Sequence, residues 1–398
     1  MRSKAFLFSI LASLLIITSC SKDDTKDDNP TTPVDEKVVV INENVTSNTT
    51  WTSDKIYQLG GRITVTAGVT LTIEPGTVIK GEAGADANAT ALLVARGGKL
   101  MAEGTAEKPI IFTSIADEIT PEDVAAGNVA SPNLSPDING YWGGVIVLGN
   151  ARISASNDNG DVSEVQIEGI PTSDPNGLYG GNNDNDNSGV IKYISIRHGG
   201  TNIGSGNEIN GLTLGGVGSG TVVENIEVVS NQDDGIEWFG GTVNVKNVVV
   251  WNVGDDGIDT DQSWAGTLDN FVVVTPQGHC FELDGPEGSY EASHTIKNGS
   301  IIADGDFTSK DLINVDENSR VSLQNLFITN VVEGQVINRV TAAAVSFDEI
   351  YINVAEADLA SFVDGDVPAG VKAGGSSQAD VSVFGWTWAN KAGKLSGL

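Results

Sequence analysis

Two short runs place acidic side chains at a fixed interval. Asn231-Gln-Asp-Asp-Gly-Ile-Glu-Trp is followed by Val253-Gly-Asp-Asp-Gly-Ile-Asp-Thr, so Asp233, Asp234 and Glu237 recur 22 residues later as Asp255, Asp256 and Asp259. A third run, Gly278-His-Cys-Phe-Glu-Leu-Asp, sets Glu282 23 residues beyond Asp259, with Asp284 two places on, as Asp261 follows Asp259. If each interval is one turn of a stacked β structure, alternation turns Ile236, Ile258 and Phe281 inward. Glu237, Asp259 and Glu282 then face outward in one column. Two unit charges about 5 Å apart repel by roughly 1 kcal/mol in water and roughly 3 kcal/mol at an effective dielectric of 20. A bound cation, raised pKa values or strong solvation must relieve such a column.

Carboxylates from neighbouring turns suit Ca²⁺, a hard cation that takes oxygen ligands. Asp234, Glu237, Asp259, Asp261, Glu282 and Asp284 are the expected ligands. A second calcium candidate is Asp184-Asn-Asp186-Asn-Ser188-Gly189, which resembles the opening of an EF-hand loop through Asp184 and Asp186, although Ser195 stands where the closing glutamate belongs. Trp251 and Trp264 flank the acidic runs and are candidate platforms for stacking on sugar faces if exposed; Trp238 is expected in the core. His198 reads as a turn histidine with a local hydrogen bond, and His294 has no evident partner.

The chain has 398 residues and a formal net charge of −31. Such a charge repels nucleic-acid phosphates and anionic headgroups, and excludes nucleic acid as a partner. It suits divalent cations or neutral sugars. Forty-eight glycines are interrupted throughout by short Val/Ile runs, the mark of a turn-rich β protein. About 360 residues would be large for one globular core, a limit that a repeating architecture avoids. The repeats appear on aligning the strands Thr221-VVENIEVV, Thr242-VNVKNVVV, Thr267-LDNFVVV, Thr295-IKNGSII and Val321-SLQNLFI. Each carries an asparagine at the same place, Asn225, Asn247, Asn270, Asn298 and Asn325, at steps of 22, 23, 28 and 27 residues. Stacked asparagines at a bend can bond one another across coils about 4.8 Å apart.

The amino-terminal half uses the same grammar: LTIEPGTVIKG, then LLVARGGKLMAEGTAEKPIIFTS, then GYWGGVIV. This string resembles the right-handed β-helix proteins of the pectin-lyase-like superfamily, and is most similar to β-helix lipoproteins of Bacteroidetes, over roughly residues 50–390. The resemblance implies an all-β fold, a three-sided right-handed parallel β-helix with loop excursions. It is specific for fold and weak for function, because this fold hosts lyases, hydrolases, adhesins and binding proteins. Pro121-EDVAAGNVA is expected to form a helical turn in a loop, residues 154–189 a polar excursion, and Phe384-GWTWANKAGKL a cap over the open end of the solenoid, with Trp386 and Trp388 in its core.

Within this superfamily, polygalacturonases place Asn-x-Asp, Gly-Asp-Asp and Gly-His-Gly on successive coils. Asn231-Gln-Asp233, Gly254-Asp255-Asp256 and Gly278-His279-Cys280 follow that order. The resemblance implies Asp256 or Asp255 as general acid, Asp233 activating water and His279 supporting the acid. Cys280 replaces the last glycine, and no Arg-x-Lys follows, which removes the grip on an acidic sugar. A lyase would need a basic residue, and Lys246 is the only Lys or Arg between residues 201 and 296.

The ends of the chain set its expected location. Arg2 and Lys4 precede an apolar run, Ala5 to Ile17, too short to span a bilayer and suited to a signal peptide. Ile17-Thr18-Ser19-Cys20 resembles the bacterial lipobox, and Ser21-Lys-Asp-Asp24 resembles the surface-export signal of Bacteroidetes lipoproteins. The expected organisation is a signal peptide over 1–19, lipidated Cys20 with a disordered tether over 20–37, and a β-helix with a C-terminal cap over 38–398. Cleavage lowers the basic residues from 22 to 20 against 53 acids, a net charge near −33. The protein is expected on the outer surface of an outer membrane, as a monomer that displays its β-helix to a polysaccharide or other extracellular partner. Cys280 has no cysteine left to pair with. Replacing Cys20→Ser should move the protein from the membrane fraction to the soluble one and abolish labelling by radioactive fatty acid; continued labelling would exclude this anchor.

Overall fold

A computed structural model describes residues 37–203 and 209–398. The expected signal peptide, lipidated Cys20 and all of the tether except Lys37 lie outside the described residues. Among the described residues, parallel strands stack in two ladders. A sheet of 15 strands runs from Val38–Ile41 to Val371–Ala373, and one of eight runs from Arg62–Val65 to Asn314–Val315. These are coils of a right-handed parallel β-helix, the hand that parallel crossovers take.

From Gly189–Arg197 to Ala344–Ile352 each strand of the long sheet bends once. The bends fall at Tyr193, Asn225, Asn247, Asn270, Asn298, Asn325 and Glu349, all with φ between 49° and 62°. Each bend divides the long sheet into two faces, and the short sheet supplies the third. Left-handed backbone costs a residue with a β-carbon roughly 1–2 kcal/mol, and asparagine tolerates it best because its amide bonds locally. Here the amides also bond one another. Asn247 Nδ2 donates to Asn225 Oδ1 at 3.0 Å, Asn270 Nδ2 to Asn247 Oδ1 at 2.8 Å, and Asn325 Nδ2 to Asn298 Oδ1 at 2.7 Å. The ladder breaks once: Asn298 turns to Asp269 Oδ1 at 2.6 Å, and Asn270 Oδ1 accepts from the Asp380 N–H at 2.7 Å.

Inward positions are apolar and sealed. Ile236, Ile258 and Phe281 are fully buried, and Trp238 stacks on Trp264 at 4.7 Å. The outer faces are covered in part by three excursions. The helix Pro121–Ala125, in the expected loop, sets Val124 against Val78 and Ile111. Two small hairpins, closed by Ala155–Asn157 with Gly160–Val162 and by Val165–Gln166 with Leu178–Tyr179, bring Ile167, Ile170 and Tyr179 onto Leu93, Ile146 and Leu148 of the short sheet. The C-terminal segment corrects the sequence expectation. It does not close the open end but runs back along the long sheet, where Phe384, Trp388 and Leu395 pack on Val229, Val249, Trp251, Val272 and Val274. The outer face of those strands is apolar, so covering it removes more hydrocarbon from water than closing one edge would. No helix among the described residues is long and apolar enough to cross a membrane.

Asn247→Ala removes two amide bonds and leaves an alanine in left-handed backbone. It should cost about 2–4 kcal/mol, read as a lower denaturant midpoint. Asn247→Gly should cost about 1 kcal/mol less, because only the strain is relieved.

Candidate functional site

The register of the short sheet fixes the acidic column. Thr213, Glu237, Asp259, Glu282 and Asn314 are successive partners on adjacent strands. Phe239 and Asp261 pair in the next outward column, and Asp284 follows one coil later, its N–H on Thr260 O at 2.8 Å. Upstream both columns are apolar where the hairpin excursion covers them, at Leu93 and Ile146 in one and at Leu148 in the other. They turn acidic where that cover ends, at Tyr179, whose hydroxyl donates to Gln262 Oε1 at 2.9 Å. The result is a carboxylate face beside a wall that carries Glu168.

The repeated Asp-Asp-Gly has a structural basis. The second aspartate of each pair stitches two coils: Asp234 Oδ1 accepts the Asp256 N–H at 2.9 Å, and Asp256 Oδ1 accepts the His279 N–H. The glycines allow the coils to meet. A β-carbon on Gly235 would stand 2.5 Å from Gly257 O, and one on Gly257 would stand 2.6 Å from a Val273 methyl.

Three groups of ligand-bearing atoms result, each with its atoms within 4.8 Å of one another: Asp233 with Asp234 and Asp255; Asp234 with Glu237 and Asp259; and Asp256 with His279 and Glu282. Burial, followed by the neighbouring carboxylates, pushes Asp234, Glu237 and Asp259 well above the ordinary carboxyl range. Burial and Glu287 raise Asp261 to about 8, and burial and Asp316 raise Asp284 to about 6. Glu282 is raised to about 9, first by its hydrogen bond to Asp256 and then by burial. Burial acts to raise Asp256 as well, but hydrogen bonds from His279 and Glu282 outweigh it and hold Asp256 below the usual range.

The expected calcium ligands therefore divide. Asp234, Glu237 and Asp259 converge, whereas Glu282 joins Asp256 and His279, whose Nδ1 lies 3.0 Å from Asp256 Oδ1. Asp261 and Asp284 sit in the neighbouring column. Asn210, absent from the sequence reading, donates Nδ2 to Glu237. Its own Oδ1 and Asp259 Oδ1 are buried without a hydrogen-bond partner. The three carboxyl groups offer oxygen alone, with Asp259 Oδ1 unused, a donor set that fits a hard cation. Spacing could not reveal Asn210, because its coil does not carry the Asp-Asp-Gly pattern.

Several expectations are corrected. Asp184 is held by Arg152, Nε to Oδ2 at 2.9 Å, and Asp186 is buried, accepting from Asn150 Nδ2 at 3.1 Å, so protein donors occupy the EF-hand-like loop. Trp251 and Trp264 are buried: Trp251 meets Trp388 edge-on at 5.6 Å, and Trp264 lies inside the solenoid on Trp238. Neither can stack on a sugar. Asp256 is a buried anion that stitches two coils, which is the wrong state for a general acid; Glu282 carries the proton in that pair. Asp233 and Asp255 do lie together, as expected. Cys280 points into the core, where burial raises its thiol to about 12 and leaves it inert.

The face departs from the rest of the molecule in its charge pattern. On the long sheet the outward column Glu103, Lys192, Glu224, Lys246, Asp269, Lys297 alternates in sign at the same spacing. Two of its pairs close at 3.2 Å (Lys192–Glu224) and 3.9 Å (Lys297–Asp269). The acidic column has no such alternation.

The model of a family described as "Pectate-lyase like beta helix domain" matches residues 43–367. No curated protein and no solved structure matches the chain.

Raised carboxyl pKa values have a definite sign. Their stabilising contribution is complete below the unfolded value near 4 and is lost as pH rises through the folded values. Asp284, Asp261 and Glu282 place that loss between about pH 5 and 9. His294, lowered to about 3 by burial, acts in the opposite sense and lowers stability as pH falls below about 6.5. Scanning calorimetry without divalent cations should therefore show a melting temperature that falls from about pH 6 toward pH 9. Asp259→Asn should raise it at pH 8.

Proposed function

We propose that this chain, which belongs to the pectate-lyase-like β-helix family, is a lipid-anchored protein of the outer-membrane surface whose acidic face binds Ca²⁺ and presents the β-helix to an extracellular glycan. One observation carries the calcium reading. Two buried carboxyl groups, Asp234 and Glu237, converge with half-buried Asp259, whose Oδ1 has no hydrogen-bond partner, while the charged column of the long sheet alternates in sign. A divalent cation there would neutralise the charges that otherwise force protons onto the column, and would cross-link three coils. The ion would supply charge neutralisation and coordination for sugar hydroxyls; the chain supplies the oxygen nest and the walled face. The family name supports a polysaccharide as ligand. The concentration of acid on this face favours a neutral glycan over a uronate.

A second reading, glycoside hydrolysis, is favoured by the Asp256–Glu282 pair. One carboxyl holds a proton and the other is an anion oriented by His279, the division of roles that acid–base catalysis requires.

Isothermal calorimetry on residues 38–398 should detect calcium binding, with a rise in melting temperature that is larger at pH 8 than at pH 5. Asp234→Asn, Glu237→Gln or Asp259→Asn should each weaken binding at least tenfold. Absence of both heat and thermal shift excludes the calcium reading. A polysaccharide panel read for calcium-dependent retention and for new reducing ends separates the two functions. Release of reducing ends that disappears in Glu282→Gln establishes the hydrolase, and retention without release establishes the binder.

A further inference from the structure

The C-terminal segment, residues 376–398, is seated on the long sheet over a set of polar groups that are incompletely satisfied. Arg197 and Glu227 are fully buried beneath it, with guanidinium and carboxylate 3.6 Å apart. Glu227 is well held: it accepts from Ser195 Oγ at 2.6 Å and from the Ala389 N–H of the segment at 2.9 Å. Arg197 lies 5.0 Å from the Trp388 ring, but its Nη1 and Nη2 have no hydrogen-bond partner. His198 follows it, fully buried, in left-handed backbone at φ 57°, with its ring edge-on to Trp388 at 5.8 Å. His198 Nδ1 meets the Ile138 carbonyl, which fixes the ring proton there as donor and leaves Nε2 with a bare lone pair. Nε2 is buried without a partner. Unsatisfied buried polar groups of this kind are costly, so aromatic packing holds the segment down against a polar seat that opposes it.

We propose that the C-terminal segment is a pH-gated latch, in which protonation of His198 at Nε2 unseats Trp388 and releases residues 376–398 from the long sheet. The new N–H would face no acceptor, and the new charge would stand beside the Arg197 guanidinium, itself short of acceptors. Released, the ring meets water. The charged groups around it are few. Arg197 lies on its own strand and Glu227 on the next. Asp117 comes from the covering loop, its carboxylate already accepting from Thr113 Oγ1, Ser131 Oγ and the Ile119 N–H. On the segment itself Lys391 is committed to Gly127 O and Lys394 to Asp306. Burial lowers the ring's proton affinity most; the Ile138 bond and Asp117 oppose that, and Arg197 adds to it. The sign follows: the open form binds the extra proton, so opening grows as pH falls below about 6.5. Opening would uncover the apolar stripe of Val229, Val249, Trp251, Val272 and Val274.

Hydrogen–deuterium exchange on the intact protein tests this at pH 7.5 and 5.0, corrected for intrinsic exchange. Peptides from residues 376–398 and from the strand Val245–Trp251 should lose protection on acidification, by up to about 30-fold from linkage. Inward strands of the short sheet should stay protected, which separates latch opening from a global effect of His294. Trp388→Ala should expose the same peptides at both pH values. His198→Asn should remove the pH response while keeping the segment protected at neutrality, since Asn252 already occupies left-handed backbone at a bend of the next coils. Equal protection of the wild-type segment at the two pH values overturns the proposal, whether or not His198→Asn folds. A pH response that survives in His198→Asn also overturns it, because the response then belongs to a group other than His198.

Discussion

Parallel, in-register stacking at about 4.8 Å is the constraint on which this structure depends. A side chain at a given position has its counterparts directly above and below it. Whatever one coil presents is therefore multiplied: an apolar residue becomes an apolar stripe, an asparagine a hydrogen-bonded ladder, and a charge a line of charges. The first two stabilise the solenoid, and the third must be relieved.

The chain relieves it in two ways. On the long sheet the signs alternate from Glu103 to Lys297, and neighbours pair across coils. On the short sheet the column from Glu237 to Glu282 keeps one sign, and relief comes from protons, from Asn210 and Asn314 as donors, and, in the proposed function, from calcium. Because the same fold at the same spacing supports the alternating solution, the like-charged column is not forced by the architecture. Perturbed carboxyls gathered on one face, from buried Asp234 and Glu237 to half-buried Asp259 and Glu282, are the pattern expected where a ligand supplies the missing compensation.

The excursions decide which stacked stripes meet solvent. The hairpins cover the apolar half of the short sheet, the loop with its short helix covers Val78 and Ile111, and the C-terminal segment covers the stripe from Val229 to Val274. What remains open on the short sheet is the part that carries acid. Covering and opening are thus one design: apolar stripes are sealed by segments distant in sequence, and the acidic face is left beside the wall that one of those segments builds. The C-terminal segment covers its stripe over buried charges rather than hydrocarbon alone, which makes that contact sensitive to proton uptake at His198.

The sequence by itself determined the periodic features. Intervals of 22 and 23 residues placed Glu237, Asp259 and Glu282 in register, the recurrent asparagines marked the bends, and Pro121-EDVAAGNVA marked the helical turn in its loop. These were legible because coil-to-coil stacking turns linear spacing into spatial contact. What only the tertiary structure decided concerns pairs that no period relates. Trp251 is an outward residue by alternation, yet it is buried because a segment ending more than a hundred residues later lies on it. Asp184 looked like a cation ligand until Arg152, 32 residues earlier, took its carboxylate. Asp256 and Glu282 divided one proton between them because burial and a hydrogen bond, neither visible in spacing, set their affinities apart. Stacking is local and repeats, so the sequence carries it; coverage and desolvation depend on where distant, non-repeating segments come to rest.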